Sequence, residues 1–412
     1  MLFSCDTENS VEPRYGNVFV KYHGSFGNQS AGQLAATSDG GFVMVGTTNF
    51  QDSDTATVAN QMILIKVDEN GNEQWQSYFG RGIDDVGKAV EVLPDGNGYL
   101  IAGNSTNINN RTDILLVQVG VDGSETRRLI LGSSDQDEEV NDILLLNAGD
   151  KDGGSYMVIG STTNVSAFDG NSKGVNDTHD YYYPKVTQDL FQVDSTEWKG
   201  YWGAEGFDKA VSAFQYSDNS YFICGTSDRP LTQLDVSDNG LPFANTNFYV
   251  RSVNEDDAED TGGRRFGNEY IQIASEMSPT REGGQFIVGT SEEDNSSFIF
   301  ASRIGRDGNK KASFTIRIDQ TRGSAIVEAI GGGALVLGTI ERNNNTDIIL
   351  LRVNNNGVVL WQKIYGDIEE DDSAGDLIQL EDGSIVFTAT MSLGRQQKIG
   401  LFKTDKEGNL LK

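Results

Sequence analysis

The sequence predicts an all-β fold, a seven-bladed β-propeller whose blades are four-stranded antiparallel sheets. Three observations predict it: one motif recurs seven times, its strand is apolar on both faces, and no stretch has helical periodicity of useful length. The motif is a turn, an aliphatic run and a small residue, as in Asp39–Thr48. The copies are spaced 49 to 65 residues apart, which marks a repeat architecture, and they close at Gly46, Gly103, Gly160, Gly225, Gly289, Gly338 and Thr388.

The central strand of each copy has to be covered on both sides. Phe42 and Met44 point one way and Val43 and Val45 the other, because successive side chains of a strand alternate between its faces. Blades packed around an axis cover each other's faces in this way. A β-sandwich is the alternative, but it gives no reason for seven near-equal copies. We therefore expect a single propeller domain over residues 16–412.

Three further strands complete each unit. A weaker strand precedes the motif, as in Gly87–Leu93, and a third strand follows it, as in Met62–Val67. A turn of the Asp68–Asn72 type comes next, in which Asn-Gly or Asp-Gly supplies the positive φ angles that tight hairpins require. The fourth strand carries a Trp in Glu73–Gly80 and again near Trp361. The pattern therefore predicts that each unit forms one antiparallel blade.

The two ends of the chain indicate how the ring closes. Gly16–Gly24 matches a fourth strand, yet no repeat precedes it, and the last repeat ends as its own fourth strand begins at residues 409–412. We predict that residues 17–22 complete the seventh blade, which removes an open sheet edge. The alternative is that residues 409–412 fill that place alone.

The first residues are similar to the end of a bacterial lipoprotein signal. Leu2 lies three residues before Cys5, Ser4 immediately before it, and a polar acidic stretch follows. A signal peptide needs a longer apolar region, which we expect upstream of Met1. We expect Cys5 to carry the lipid and residues 1–15 to form a lipoprotein-like tether, in an outer-membrane or cell-surface protein of a Gram-negative bacterium. The alternative is an incidental Cys.

The charge of the chain excludes one class of partner. Lys and Arg total 32 against 61 Asp and Glu, a net charge of −29, so ordinary nucleic-acid binding is excluded. No run approaches the 18 apolar residues of a membrane span, so we expect membrane contact only through the anchor at Cys5. Cys224 lies in an aliphatic strand, where a buried free thiol is expected. We expect a monomer.

Acidic residues recur just before the first strand of several blades. They could collect Ca²⁺ through oxygen ligands at the mouth of the propeller. The alternative, which we favour because the feature repeats, is that each carboxylate caps backbone N–H groups at the start of a blade. The candidate metal ligands are Asp84, Asp85, Asp135, Asp137, Asp208, Asp371 and Asp372. Apart from this possible Ca²⁺, we expect no cofactor.

Recognition is expected in the longest connections between second and third strands, residues 161–188 and 226–247. The first contains an unusual aromatic run, and exposed aromatic side chains suit sugar stacking or a protein anchor. The alternative is that one or two of these Tyr begin the third strand and pack between blades. Trp198 and Trp202 are expected to pack. The candidate ligand-binding residues are His179, Asp180, Tyr181, Tyr182 and Tyr183.

No catalytic constellation is apparent. The chain has two His and lacks a nucleophile elbow, a His metal pair and a phosphate-cradling loop. We therefore do not expect an enzyme. Two carboxylates across the central funnel could still hydrolyse a glycoside, although the sequence singles out no pair.

Three stretches resemble a known bacterial and archaeal repeat: Trp361–Gly366, Asp39–Thr48, and Asp347–Val353 with its Asn-Gly turn. The resemblance, strongest in repeats one, two and seven, is to extracellular propellers that are often lipoproteins. It implies a surface scaffold, and fold alone does not fix function. We expect a noncatalytic propeller that binds a protein or glycan through its long-loop face. The alternatives are a glycan-active hydrolase or lyase with carboxylates at the funnel centre, and a purely structural envelope component.

Overall fold

The computed structural model describes residues 18–25, 27–49, 59–81, 83–94, 96–147, 154–163, 178–193, 198, 200–203, 206–216, 220–228, 242–253 and 260–410. These residues form 29 strands in seven antiparallel sheets. The predicted all-β, seven-bladed propeller is therefore confirmed. Within the described ranges, no helix is long and apolar enough to cross a membrane.

The first strand, β1 (Phe19–His23), belongs to the last blade. Blade 1 contains β2 (Gln29–Ala36), β3 (Phe42–Thr48), β4 (Gln61–Val67) and β5 (Glu73–Phe79). Blade 2 contains β6 (Asp85–Val92), β7 (Gly98–Thr106), β8 (Thr112–Gly120) and β9 (Glu125–Leu131). Blade 3 contains β10 (Glu138–Leu145), β11 (Tyr156–Thr162), β12 (Asp180–Tyr182), β13 (Lys185–Val186) and β14 (Tyr201–Trp202), so its third strand is in two parts.

Blade 4 contains β15 (Asp208–Gln215), β16 (Tyr221–Ser227), β17 (Asn247–Val253) and β18 (Asp260–Phe266). Blade 5 contains β19 (Ile271–Pro279), β20 (Gln285–Glu293), β21 (Ser296–Ile304) and β22 (Lys310–Ile316). Blade 6 contains β23 (Thr321–Glu328), β24 (Ala334–Arg342), β25 (Asn345–Val353) and β26 (Val359–Tyr365). Blade 7 contains β27 (Ser373–Gln379), β28 (Ile385–Leu393) and β29 (Gln396–Thr404), and β1 completes it.

The N-terminal strand closes the ring as predicted. β1 is the outermost strand of blade 7 and pairs antiparallel with β29, with Val20 opposite Phe402. The alternative, in which residues 409–412 form that strand alone, is wrong because β1 occupies the place. The ring of Phe19 also packs on the blade 1 turn, where a Cβ on Gly71 would lie 2.4 Å from it.

The two faces of each central strand pack on two different neighbours. In β3, Phe42 and Met44 share a cluster with Val386 and other residues of blade 7. Val43 and Val45 share another cluster with blade 2. Full burial of one such side chain contributes about 1.5–3 kcal/mol. The doubly apolar strands of the sequence are therefore explained by packing between blades.

Each inner strand carries a β-bulge at the same place. The inner strand is the first strand of each blade, and its register with the second strand shifts after its second, third or fourth residue. This holds for β2, β6, β10, β15, β19, β23 and β27. A bulge bends a strand and re-aims the side chains next to it. The seven bulges therefore set which residues face the centre of the ring.

Candidate functional site

A channel runs along the propeller axis, surrounded by the seven inner strands. Its cavity measures about 520 Å³ and is lined by residues of every blade. Aligning the inner strands on their bulges brings one residue per blade to an equivalent position, which we call the channel ring. The channel ring consists of Gln33, Ala89, Asp142, Ser212, Glu276, Ala325 and Asp376.

The long side chains of the channel ring connect neighbouring blades. Asp376 Oδ2 accepts the N–H of Leu34 at 2.8 Å, and Glu276 Oε2 accepts that of Ile326 at 3.0 Å. Gln33 Oε1 accepts the N–H of Val90 at 3.1 Å. In each case the donor follows the ring position of the next blade. These side chains, on blades 7, 5 and 1, therefore hydrogen-bond their own blade to the next one.

Asp142 makes the corresponding hydrogen bond between blades 3 and 4. It accepts the backbone N–H of Ala213 in blade 4 and the hydroxyl of Ser212 at 2.9 Å. Its other oxygen accepts Nε2 of Gln33 at 2.9 Å, so this contact joins blade 3 to blade 1. Buried polar groups of this kind are costly unless they are hydrogen-bonded. The contacts account for polar side chains at the centre of the molecule.

Burial shifts the proton affinities of this region. It raises the pKa of Asp142. It also raises the pKa of Glu276 and of Asp376, and the negative charges of neighbouring carboxyl groups raise these two pKa values further. Burial and the charge of Asp142 raise the pKa of Glu91 to about 7. Burial and the nearby Lys209 lower the pKa of Lys88, a further lining residue. Opposed shifts of this kind occur at active sites and also in structural networks.

Neither His takes part in the channel. His23 is buried in β1, and burial lowers its pKa to about 4. The ring of His179 packs against that of Phe207, with 5.1 Å between centroids. Among the described residues that line the cavity, none is a His or a Cys. The channel therefore offers carboxyl groups, Lys88 and hydroxyls, but no imidazole.

The acidic residues at the starts of blades accept hydrogen bonds, as the capping alternative predicts. Asp85 Oδ2 accepts the N–H of Arg81 at 2.8 Å, and Asp372 Oδ1 that of Ser392 at 2.7 Å. Asp137 accepts the N–H of Thr112 at 2.8 Å. At the junction of blades 6 and 7, Asp371 does the same for Thr346 at 3.0 Å. These carboxylates fasten backbone N–H groups where blades meet.

The other candidate metal ligands lie apart. Asp84 accepts Nδ2 of Asn60 at 2.7 Å, Asp135 is exposed, and Asp208 is buried. In the described part of the chain no three His, Cys, Asp or Glu side chains are grouped to hold a metal. The Ca²⁺ site stays a prediction.

The structure buries most of the aromatic run. Tyr181 and Tyr183 are fully buried, and Tyr182 is half-buried. The Tyr181 hydroxyl donates to the carbonyl of Tyr249 at 3.0 Å. The Tyr183 hydroxyl donates to the carbonyl of Tyr201 at 3.1 Å. Tyr181 and Tyr183 pack between blades 3 and 4, as the alternative predicts, so these two rings are not exposed. A ligand role for the run stays a prediction.

The residues beside this run are also packed. Asp180 is buried next to Gly203, whose Cβ would lie 1.4 Å from Oδ1. Trp198 and Trp202 pack as expected, and Trp202 stacks on Tyr249 with 4.8 Å between ring centroids. Cys224 is the buried free thiol that the sequence predicts. Cys5, the tether and much of the two long connections lie outside the described residues.

Several exposed apolar side chains lie in one sector of the loop face, and others, among them Phe191, Ile271 and Val358, lie elsewhere on the described surface. On the loop face, where blades connect and second strands lead into third strands, Ile108 is 92% exposed. Its sector runs from the junction of blades 6 and 7 through blades 7, 1 and 2. We call it the apolar sector, and it consists of Tyr22, Tyr78, Ile83, Ile108, Ile130, Ile368 and Leu393. Exposed apolar clusters mark interaction surfaces in soluble proteins.

The chain is thus a seven-bladed β-propeller, a fold commonly used for protein–protein interaction. No protein-family model matches the sequence, and no curated protein matches it significantly. Similar solved structures include Chaetomium thermophilum Sqt1, at 10% identity and a TM-score of 0.47, with 88% of this chain and 81% of Sqt1 covered.

Two bacterial structures are similar to the same degree. The Pseudomonas aeruginosa periplasmic gluconolactonase PpgL is 12% identical with a TM-score of 0.47, over 80% of this chain and 83% of that one. The Streptococcus pneumoniae NanB sialidase is 9% identical with a TM-score of 0.46, over 93% of this chain and 68% of that one. Similarity at this level concerns the fold alone and assigns no activity to this chain.

Proposed function

We propose that this protein is a noncatalytic propeller that binds a protein partner on its loop face. The observation that carries the proposal is the apolar sector, in which Ile108 and its neighbours expose aliphatic side chains. Aliphatic and aromatic groups beside polar rims are typical of protein interfaces. Burial of Tyr181 and Tyr183 removes the rings that suited either a glycan or a protein, so the choice of a protein partner rests on the apolar sector.

The contacts in the channel support a noncatalytic role. Glu276, Asp376 and Asp142 each accept a backbone N–H of the next blade. A catalytic carboxyl has to be free to exchange a proton with substrate, whereas these carboxyl groups hold the blades together. Their polarity is thus explained by structure alone.

The proposed location is the cell surface, through a lipid anchor at Cys5. The support is the lipoprotein-like N-terminus of the sequence together with the high negative charge of −29, which suits an exported protein. Palmitate labelling of the chain in a bacterial host, behind a lipoprotein signal peptide, tests the anchor. We expect label on the wild type and none on Cys5→Ser. Label on neither would remove the anchor from the proposal.

A crosslinking experiment tests the binding face. In one variant a photo-crosslinking residue replaces Ile108 on the loop face. In a second variant of the same chain it replaces Val358, which is 58% exposed on the opposite face. We expect one adduct of defined mass from position 108 and none from position 358. With that partner purified, Ile108→Asp should weaken binding about tenfold and Val358→Asp should not. Equal adducts from both positions would contradict the proposal.

The hydrolase or lyase alternative is favoured by one observation: Lys88, whose pKa is lowered, lines the same cavity as Glu276, whose pKa is raised. It predicts turnover of a glycan that Glu276→Gln abolishes while the protein stays folded. The purely structural alternative predicts no partner at either crosslinking position.

A further inference from the structure

We propose that the channel binds a small hydroxylated carboxylic acid, with its carboxylate on Lys88 and its hydroxyl groups toward the channel ring. This inference goes beyond the proposed function, because it concerns a second ligand, of low molecular mass, at the axis of the propeller. The cavity of about 520 Å³ has the size of small-molecule sites, which measure about 300–1,000 Å³. Lys88 and most of the channel ring line it.

Lys88 is a cation without a counter-ion of its own. It is half-buried, and its ammonium group makes no hydrogen bond or ion pair with any residue that the structure describes. The charges that reach it are those of Lys209 and Glu139, and Lys209 Nζ already donates to Glu139 Oε2. Burial and then the charge of Lys209 lower the pKa of Lys88. Because a partly buried charge is costly without a partner, an anion that enters the channel would be stabilised beside Lys88.

The part of the channel above the channel ring carries a charge opposite to that of the whole chain. We compared the inner-strand residues that lie three positions and one position before the channel ring. The charged residues among them are Lys88, Lys209, Arg322 and Glu139. Three cations therefore accompany one carboxylate, in a chain of net charge −29. A cleft lined by one sign of charge concentrates ligands of the other sign, so this part of the channel favours an anion.

The carboxylates two positions further out do not reverse this balance. Asp84, Asp137 and Asp371 accept hydrogen bonds from residues at the start of the third strand of the preceding blade. The third strand lies further from the axis than the inner strand, so these carboxylates are turned away from the channel. None of the three lines the cavity.

The channel ring offers partners for hydroxyl groups. Burial raises the pKa of Asp142, Glu276 and Asp376, that of Asp376 to about 6. The ring therefore holds less negative charge near neutral pH than three carboxyl groups would hold in water. Glu276 Oε2 accepts the N–H of Ile326, whereas its Oε1 makes no hydrogen bond with the described residues. This oxygen and the hydroxyl of Ser324, which also lines the cavity, can bond to ligand hydroxyls.

The remaining lining selects for a ligand with a carbon ring. Val86, Phe207 and Ile273 line the same cavity and provide an apolar wall. An inorganic anion on Lys88 would leave this wall and Glu276 Oε1 unused. A plain aliphatic acid would cover the wall but bury that oxygen without a partner, which is costly. A pyranose that carries a carboxylate satisfies all three parts.

Three six-membered-ring probes separate the parts of the ligand. Methyl β-D-glucuronide has the carboxylate and the hydroxyls, methyl β-D-glucoside lacks the carboxylate, and cyclohexanecarboxylate lacks the hydroxyls. In isothermal titration calorimetry of the full chain, we expect the glucuronide to saturate a single site. The other two probes should bind at least about tenfold more weakly. Binding of the glucoside or of cyclohexanecarboxylate as tight as that of the glucuronide would overturn the inference.

Two variants and a matched control test the role of Lys88. Lys88→Gln should weaken the glucuronide about tenfold, and Lys88→Arg should keep most of the binding because it keeps the charge. Lys406→Gln removes a cation from an exposed turn on the opposite face and should bind as the wild type does. A folded Lys88→Gln variant that binds the glucuronide like the wild type would contradict the assignment.

A labelling experiment on the unmodified chain locates the ligand without any substitution. Cyanate carbamylates lysine amines, and peptide mass spectrometry measures the rate at each position. The glucuronide should slow modification of Lys88 and leave that of Lys406 unchanged. Equal rates at Lys88 with and without the glucuronide would overturn the inference. Neither this experiment nor the titration needs a protein partner, so the crosslinking result at position 108 and the channel result can fail separately.

Discussion

Replacing Glu91 by Gln should make the protein more stable at alkaline pH. Glu91 follows the channel ring of blade 2, and its carboxylate accepts the backbone N–H of Leu145 in blade 3. Burial and the neighbouring Asp142 raise its pKa from 4.5 to about 7. Gln keeps an oxygen that can accept the same hydrogen bond, but it removes the charge that the folded state disfavours.

The sign and size of the effect follow from linkage. A carboxyl whose folded pKa is raised contributes stability that is fully present below its unfolded pKa and is lost as the pH rises through its folded pKa. With pKa values of 4.5 unfolded and about 7 folded, the loss is below ~1 kcal/mol at pH 5 and about 3 kcal/mol at pH 8.5. Glu91→Gln should therefore gain about 2–3 kcal/mol over wild type between these two pH values.

Urea unfolding at pH 5, 7 and 8.5 measures this difference, with Glu69→Gln in an exposed turn as the control. The wild type and Glu91→Gln should differ little at pH 5 and diverge steadily above it, while the control follows the wild type throughout. A constant offset between wild type and Glu91→Gln at all three pH values would refute the reasoning. It would mean that the substitution acts through packing and not through the charge.

Two further predictions concern the carboxylates where blades meet. Gly366→Ala places a Cβ 2.5 Å from both Asp347 and Asp372 at a φ of +127°, so it should cost about 2–4 kcal/mol of unfolding free energy. Gly394→Ala, at a φ of +68° with no atom within 4 Å of its Cβ, should cost about 1 kcal/mol in the same urea assay; equal costs would contradict this account. Ca²⁺ should leave the melting temperature unchanged, because Asp85 and Asp372 already accept backbone N–H groups; a rise that EGTA reverses would establish the calcium site instead.

The fold could be predicted because its signals are local and repeated. The aliphatic run of Phe42–Thr48 requires cover on both sides wherever it occurs, and seven copies leave little choice of architecture. Closure by β1 follows from a surplus strand at one end and a missing one at the other. Residue type and spacing suffice for both predictions, and the sequence contains both in full.

The centre of the ring could not be predicted in the same way. Asp142, Glu276 and Asp376 come together only because seven bulges turn equivalent residues inward, and the bulges leave no local signal. Aligning the first strands would have shown an Asp, Glu or Gln directly before an apolar residue in blades 1, 3, 5 and 7. The sequence left burial of Tyr181 open as an alternative, because the start of β12 depends on contacts with blade 4, which are distant in sequence.

Ring closure also builds the surface on which the proposed function depends, since β1 supplies Tyr22 to the apolar sector. Hydrogen–deuterium exchange of the unmodified protein tests closure most directly. If β1 is the outer strand of blade 7, the amides of Phe19–His23 exchange as slowly as those of β5, the outer strand of blade 1. Complete exchange of Phe19–His23 at the first time point, with β5 still protected, would contradict the closed ring.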